Sequence, residues 1–219
     1  TAQTIGNIAT PADFKRTTSH DKSFATWLRS IRLKDDTRVY LYNGQLKSNQ
    51  SAQFAVLDIP VGKKDLQQCA DAIMHLRAQF LHDNSRYEEI CFADNNGKKY
   101  QYSTLSGEPF ARYLEKVYSY CGTISLEKQL KKANFQEMQI GNVLIKGGSP
   151  GHAVIVVDMA VNRNGKKIYL LAQGYMPAQD IHILKNPLNK GLSPWYEVND
   201  NPLIYTPEWL FKAEDLRKW

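Results

Sequence analysis

The chain has 219 residues and only three cysteines, Cys69, Cys91 and Cys121, no two of which form a Cys-x-x-Cys pair. That number and spacing exclude a disulfide framework and a zinc-binding pattern, and the odd count leaves at least one thiol free within the chain. Long apolar runs are also missing. The longest, Ala153 to Val157, has the length of a strand and falls far short of the ~20 residues that cross a bilayer as a helix. There is no Gly-rich loop ending in Gly-Lys-Ser/Thr, which argues against nucleotide-driven chemistry, and no His-Glu-x-x-His metal motif. Internal repeats and low-complexity linkers are absent as well, so residues 1–219 read as a single domain. The chain opens at Thr1 without a basic-then-apolar leader. A processed start is expected, with any export signal outside the given sequence.

What is present is an ordinary globular composition, 42% hydrophobic and 23% charged, enough for one sizeable core. The net charge is +6, yet lysines and arginines are scattered and nowhere interleave with aromatics. The surplus reads as a solvated surface rather than a nucleic-acid groove, and no nucleic-acid partner is expected.

Residues 1–22 are polar and aperiodic and are expected to form an extended arm over the surface. SFATWLRSI reads as a short helix capped by Ser23, and RVYLYNG and AQFAVLDIPVG as strands. KKDLQQCADAIMHLRAQFLHD is the strongest helix, with Leu66, Cys69, Ile73, Leu76 and Phe80 on one face and His75 pointing away to solvent. A hairpin with its turn at Asn96-Gly97 follows, then helices in PFARYLEKVYSY and SLEKQLKKA. The C-terminal half reads as strands in IGNVLIKGG, GHAVIVVDMAV, KKIYLLAQGYM and PAQDIHIL. Residues 185–219 are expected to wrap the body as a tail, with a last short helix near PEWLFKAEDLRKW. The class is α+β.

One constellation carries chemistry. A cysteine near a helix N-terminus feels unpaired N–H groups and the helix dipole, which favour its thiolate. If the helix starts near Asp65, Cys69 lies about one turn inside it. His152 heads an aliphatic strand after the loop GGSPG, where a base can be held rigidly beside an open cleft. A third polar group must orient the imidazole. If Asn162 pairs with Gly165 across the turn, Gln173 is a diagonal neighbour of His152; if the turn centres on Asn164-Gly165, Tyr175 takes that place. Both remain candidates.

Cysteine on a helix, histidine opening a strand and a polar orienter on the next strand is the chain order of papain-like cysteine hydrolases. IGNVLIKGGSPGHAVIVVDMA is similar in rhythm to their wall-peptidase branch, the NlpC/P60 and CHAP groups. DLQQCADAIMHLRAQFL, YCGTISLEKQL, GGSPGHAVIVVDMA and LLAQGYMPAQDIHIL together resemble an exported bacterial family, domain of unknown function 4846, from about Ser23 onward. The family resemblance implies export to the periplasm, outer membrane or exterior, with peripheral membrane association only if a lipid anchor preceded the chain. The papain-like likeness implies a Cys69–His152–Gln173 site, an α+β papain-like fold and a peptide or cell-wall fragment as partner, with no cofactor. Gln68, beside the Cys69 N–H, is the candidate oxyanion donor, with Gly148, Ser149 and Tyr175 as substrate contacts. Gln67 is the alternative donor. One departure stands out: Gln68 and Ala70 flank Cys69, where wall peptidases place an aspartate or small residues.

Bland readings stand beside these. Cys69 lies on the apolar stripe and could be a core residue. Cys121 is a second, more distant thiol candidate and Cys91 a structural one. His182 is the alternative base, and a zinc site from His152, Asp158 and His182 lacks supporting spacing. Asp158 lies roughly 20 Å along the strand from His152 at ~3.3 Å per residue, too far to orient it, and is expected to be solvated or in a surface ion pair. The aromatic tail reads as packing anchors. The competing function is an exported, non-catalytic module that binds a peptide or glycan in the same cleft.

Overall fold

The computed structural model describes residues 3–219. The first half holds β1 (Phe14–Arg16), α1 (Phe24–Ser30), β2 (Gln53–Val56), α2 (Cys69–Asp83) and the small hairpin β3 (Cys91–Ala93) and β4 (Lys99–Gln101). Then come α3 (Phe110–Tyr120), α4 (Thr123–Gln129), β5 (Lys131–Lys132), β6 (Val143–Lys146), β7 (His152–Asn162), β8 (Lys167–Gln173) and β9 (His182–Leu184). The tail adds β10 (Tyr196–Glu197), β11 (Leu203–Tyr205), β12 (Leu210–Lys212) and β13 (Leu216–Lys218). The class is mixed α+β, built on a nine-stranded sheet in the order β2-β9-β8-β7-β6-β13-β5, with β1 on β7 and β10 on β8. Its pairings are antiparallel. No helix among the described residues is long and apolar enough to cross a membrane.

Alternation along β7 sends its side chains into two cores. Ala153, Ile155 and Val157 join the helices on one face, against Ala72, Ile73 and Leu76 of α2. Val154 and Val156 face the other side, where Ile204, Phe211 and Leu216 of the tail cover them. The tail is therefore the second layer over the sheet, not a loose wrap. Its expected last helix is absent: residues 210–218 form β12, a 3₁₀ turn and β13, and β13 fills the gap between β6 and β5. Pairing with two strands satisfies its backbone groups on both edges and outweighs the helical preference of KAEDLRK. RVYLYNG makes only isolated bridges.

The arm is also more than a surface strap. Ile5 and Ile8 are buried, and Phe14–Arg16 pairs with the far end of β7. Asp158, expected at the surface, is fully buried there. Its two oxygens each take 2.7 Å contacts, one from Arg16 Nε and one from Arg29 Nε. A bulge between Val156 and Asp158 shifts the strand's alternation, so Asp158 sits on the side of α1, which supplies Arg29.

Candidate functional site

Helix α2 begins at Cys69, one turn later than Asp65. The Asp71 side chain sets this start by accepting the Gln68 backbone N–H at 3.1 Å, the reach-back half of a capping box. Cys69 is therefore the first helical residue, where backbone N–H groups lack intrahelical partners and the helix dipole is strongest. The N-terminus of α2 lies on the end of β8 because Gly174 has no side chain. A Cβ there would sit 2.8 Å from Ala72 Cβ and 2.9 Å from the Gln68 carbonyl oxygen. Gly174→Ala is expected to push this end of α2 outward and cost about 1–3 kcal/mol. Denaturant unfolding measures the cost, and a fall in Cys69 reactivity reports the displacement.

The β7–β8 turn is a three-residue loop, with the Asn162 N–H donating to the Lys166 carbonyl at 3.0 Å and Gly165 at φ +79°. Neither expected turn has this register. The bulge near Val157 then removes one residue of offset, so Ile155 pairs with Ala172. Gln173 thereby arrives diagonal to His152, the place that the first register assigned to it. His152 Nε2 and Gln173 Oε1 are 2.8 Å apart. Tyr175 instead packs edge-on against the imidazole, with ring centroids at 5.0 Å.

The Gln173 amide is held from behind. Its Nε2 donates to Glu208 Oε2 at 2.7 Å and lies 3.2 Å from His182 Nε2. His182 Nδ1 donates to the Asp180 carbonyl at 2.9 Å, which leaves Nε2 as the acceptor. His182, the alternative base, is thus fully buried behind Gln173. Glu208 also takes 2.6 Å and 3.1 Å contacts from Lys47 Nζ and Asn49 Nδ2. Burial acts to raise the Glu208 carboxyl, but these donors outweigh it and hold it below the usual range. For Lys47 burial outweighs the attraction of Glu208, and its ammonium sits below the usual lysine range. Trp209 and Phe211 flank the imidazole at 5.5 and 5.8 Å between centroids.

Cys69 and His152 line one cleft of about 630 Å³. Cys69 comes from the helix side, whereas His152 belongs to the tail-covered face and reaches the cleft as the first residue of β7. Backbone N–H groups of Ala70, Ala153 and Cys69 itself favour the thiolate. Among the described residues no side-chain hydrogen bond joins the sulfur to the imidazole. Burial, against those N–H donors, pushes the thiol up to about 11. Burial also lowers His152 to about 4, against the Gln173 bond. Both groups are neutral at rest.

Gln68, Gly148, Ser149 and Tyr175 line the same cleft. Gln68 Nε2 donates to Asp65 Oδ1 at 3.2 Å, which holds its amide at the rim. Gln67 does not reach it. Its amide is buried against His75 Nδ1 and the Tyr118 hydroxyl. His75, expected in solvent, is buried because α2 is covered on that side by the 60–67 segment and α3. The glycines of the 147–151 loop allow a close fold: a Cβ on Gly151 would lie 2.5 Å from Thr123 Oγ1 and 2.7 Å from the Gly148 carbonyl oxygen.

Cys121 is buried at the far wall of the cleft, pushed up to about 12 by burial. Cys91 is half-buried in β3. Asp158 is occupied by two arginines and does not join His152 and His182. Trp209 of the aromatic tail lines the cleft, whereas no local pattern in the sequence marks Lys47 or Glu208. Nor does any mark Asp71, which lines the cleft with one oxygen that has no hydrogen-bond partner. Burial raises the Asp71 carboxyl to about 8.

No curated protein and no solved structure matches the chain. The family model described as "Domain of unknown function (4846)" matches residues 5–108 and 103–218. With nearly the whole chain covered, the protein belongs to this family.

Proposed function

We propose that the protein is a cysteine hydrolase of the papain-like kind, an amidase or peptidase acting on peptide or cell-wall-derived amide bonds through Cys69, His152 and Gln173. The observation that carries this reading is the convergence at one cleft. A cysteine at a helix N-terminus lines the same cleft as His152, whose Nε2 is engaged by Gln173.

In this reading the resting pair is thiol and imidazole rather than a preformed ion pair. His152 donates its Nε2–H to Gln173, so Nδ1 carries the lone pair and is the base. As the sulfur attacks the carbonyl carbon, its proton passes to Nδ1 and the carbonyl electrons move onto oxygen. The Cys69 N–H, with the Gln68 amide at the rim, is placed to receive that charge. Collapse breaks the C–N bond, and the imidazolium returns the proton to the leaving amine. A water, deprotonated by the same nitrogen, then hydrolyses the thioester and frees the thiol. Among the described residues the cleft is lined by Asp65 and the protonated Asp71 and by no lysine or arginine, which suits a neutral or amine-bearing peptide better than an anionic one. The family and wall-peptidase resemblances suggest a bacterial envelope setting, outside the cytoplasm.

The test is hydrolysis of wall-derived stem peptides and of a library of peptide amides, with product amines quantified. Turnover by the wild type is expected to fall at least about 10³-fold in Cys69→Ala and in His152→Ala. Turnover unchanged in Cys69→Ala rules the nucleophile out. One set of observations favours a second reading, a non-catalytic module that binds its peptide or glycan in the cleft. The thiol is raised, the imidazole lowered, and no hydrogen bond links them. On that reading the same peptides bind without being cleaved, and Cys69→Ala binds equally well.

A further inference from the structure

We infer that Glu208 is a positioning residue of this site: its carboxylate fixes the orientation of the Gln173 amide and thereby the tautomer of His152. The inference rests on the hydrolase reading, since it concerns which imidazole nitrogen faces the cleft.

A glutamine side chain is ambivalent, because its oxygen and nitrogen ends have nearly the same shape. With the oxygen toward His152, the imidazole must donate from Nε2 and keep Nδ1 bare. With the amide turned over, NH₂ faces Nε2, which must then accept, and the proton moves to Nδ1, where it blocks the base. The protein therefore needs something that accepts hydrogen bonds and cannot donate, placed behind the amide. Glu208 is that group. Its pKa lies below the usual carboxylate range, and it meets Gln173 Nε2 at 2.7 Å, a charge-assisted contact. The second contact, to His182 Nε2 at 3.2 Å, points the same way but is longer and joins neutral groups. Glu208 is in turn fixed at both oxygens, by Lys47 at 2.6 Å and Asn49 at 3.1 Å. Lys47 lies 5.2 Å from the Tyr175 ring centroid and so ties the clamp to the aromatic wall around the imidazole.

The chain delivers Glu208 on a rigid element. Residues 206–209 form the turn between β11 and β12, closed by the Thr206 hydroxyl, which accepts the Trp209 N–H at 3.1 Å and donates to the Trp209 carbonyl at 2.8 Å. Trp209, next in sequence, packs on His152 itself. One tail turn thus supplies both the charge behind the orienter and a wall of the imidazole's pocket.

The experiment uses full-length protein labelled with ¹⁵N-histidine and reads the His152 ring nitrogens by NMR, with Cys69 alkylation measured alongside. Wild type is expected to show a single tautomer, protonated at Nε2. Glu208→Leu removes the acceptor, and two tautomers are expected, with His152-dependent alkylation of Cys69 reduced about 10–100-fold. Glu208→Gln keeps an oxygen for Gln173 and Lys47 but can also donate, and is expected to fall between wild type and Glu208→Leu in both tautomer ratio and rate. A folded Glu208→Leu variant that keeps one Nε2–H tautomer and an unchanged rate overturns the inference. So does a wild-type protein whose His152 carries its proton on Nδ1, a result that holds even if Glu208→Leu does not fold. Failure of the hydrolase reading looks different: Cys69 alkylation would then be indifferent to His152→Ala in otherwise wild-type protein.

Discussion

Replacing Asp158 with alanine is expected to destabilise the protein by about 3–5 kcal/mol, because it leaves two partly buried guanidinium groups without their carboxylate. Asp158 is fully buried, with one oxygen on Arg16 and the other on Arg29. The two arginines reach further. Arg29 donates to the Thr17 and Met159 carbonyls, and Arg16 to the Ile8 carbonyl. The network fastens the N-terminal arm and α1 to the end of β7 opposite His152. In a chain of this size the loss corresponds to about a 10 °C fall in Tm. A double-mutant cycle with Arg16→Ala separates the pair from the stranded charge, since removing both partners relieves part of the penalty. A Tm within 2 °C of wild type for Asp158→Ala would show that the cluster does not hold the arm.

The second large effect is on stability against pH, which is expected to peak near pH 6.5 and fall on both sides. His75, His152 and His182 are each lowered by burial from 6.5 to about 4. Between those values the unfolded chain binds three protons that the folded protein refuses, so stability drops as pH falls through that window. Asp71 works oppositely. Burial raises it from 3.8 to about 8, so the folded protein holds a proton that the unfolded chain has lost, and stability drops as pH rises toward 8. Below about pH 6 the balance is two protons in favour of the unfolded state, or at most about 2.7 kcal/mol per pH unit. Above it only Asp71 operates, at about 1.4 kcal/mol per unit. Thermal unfolding from pH 4.5 to 8.5 should give the highest Tm between 6 and 7. Asp71→Asn should flatten the alkaline side and leave the acid side. A Tm that climbs from pH 6.5 to 8 would contradict the raised Asp71.

The parts of the fold set by short-range pattern were readable from residues. The stripe from Leu66 to Phe80 announces α2, and Ser23 caps α1 by accepting the Thr26 N–H. The aliphatic run after His152 and the turn NRNG announce the β7–β8 hairpin. Gln173 comes to its place beside His152 by a different route, since the actual turn is offset by one and the bulge near Val157 cancels the difference. A bulge has no residue signature in VIVVDM, and without it the alternation would have carried Asp158 to the wrong side. What the sequence hid is long-range. Lys47 and Glu208 are 161 positions apart and Gln173 and Glu208 are 35 apart, so neither period nor spacing connects them. The last residues looked helical because KAEDLRK has helical composition, yet the open edges of β6 and β5 decide their conformation. His75 is buried, against its helical pattern, for a related reason. A helix with one apolar stripe should leave its other side wet, but the 60–67 segment and α3 cover α2 there as well.

In the proposed hydrolase Cys69 and His152 act as one chemical unit in the cleft. The most direct measurement is the iodoacetamide alkylation rate of each cysteine in folded protein, read by peptide mass spectrometry across pH in wild type and His152→Ala. A half-buried thiol raised to about 11 is almost entirely protonated at neutral pH, so fast reaction there requires a base to take the proton as the sulfur attacks. Cys69 is expected to react faster than Cys91 and Cys121 at neutral pH, and His152→Ala to remove the advantage. Labelling of Cys69 only on unfolding, or at the same rate in both proteins, would contradict the proposal.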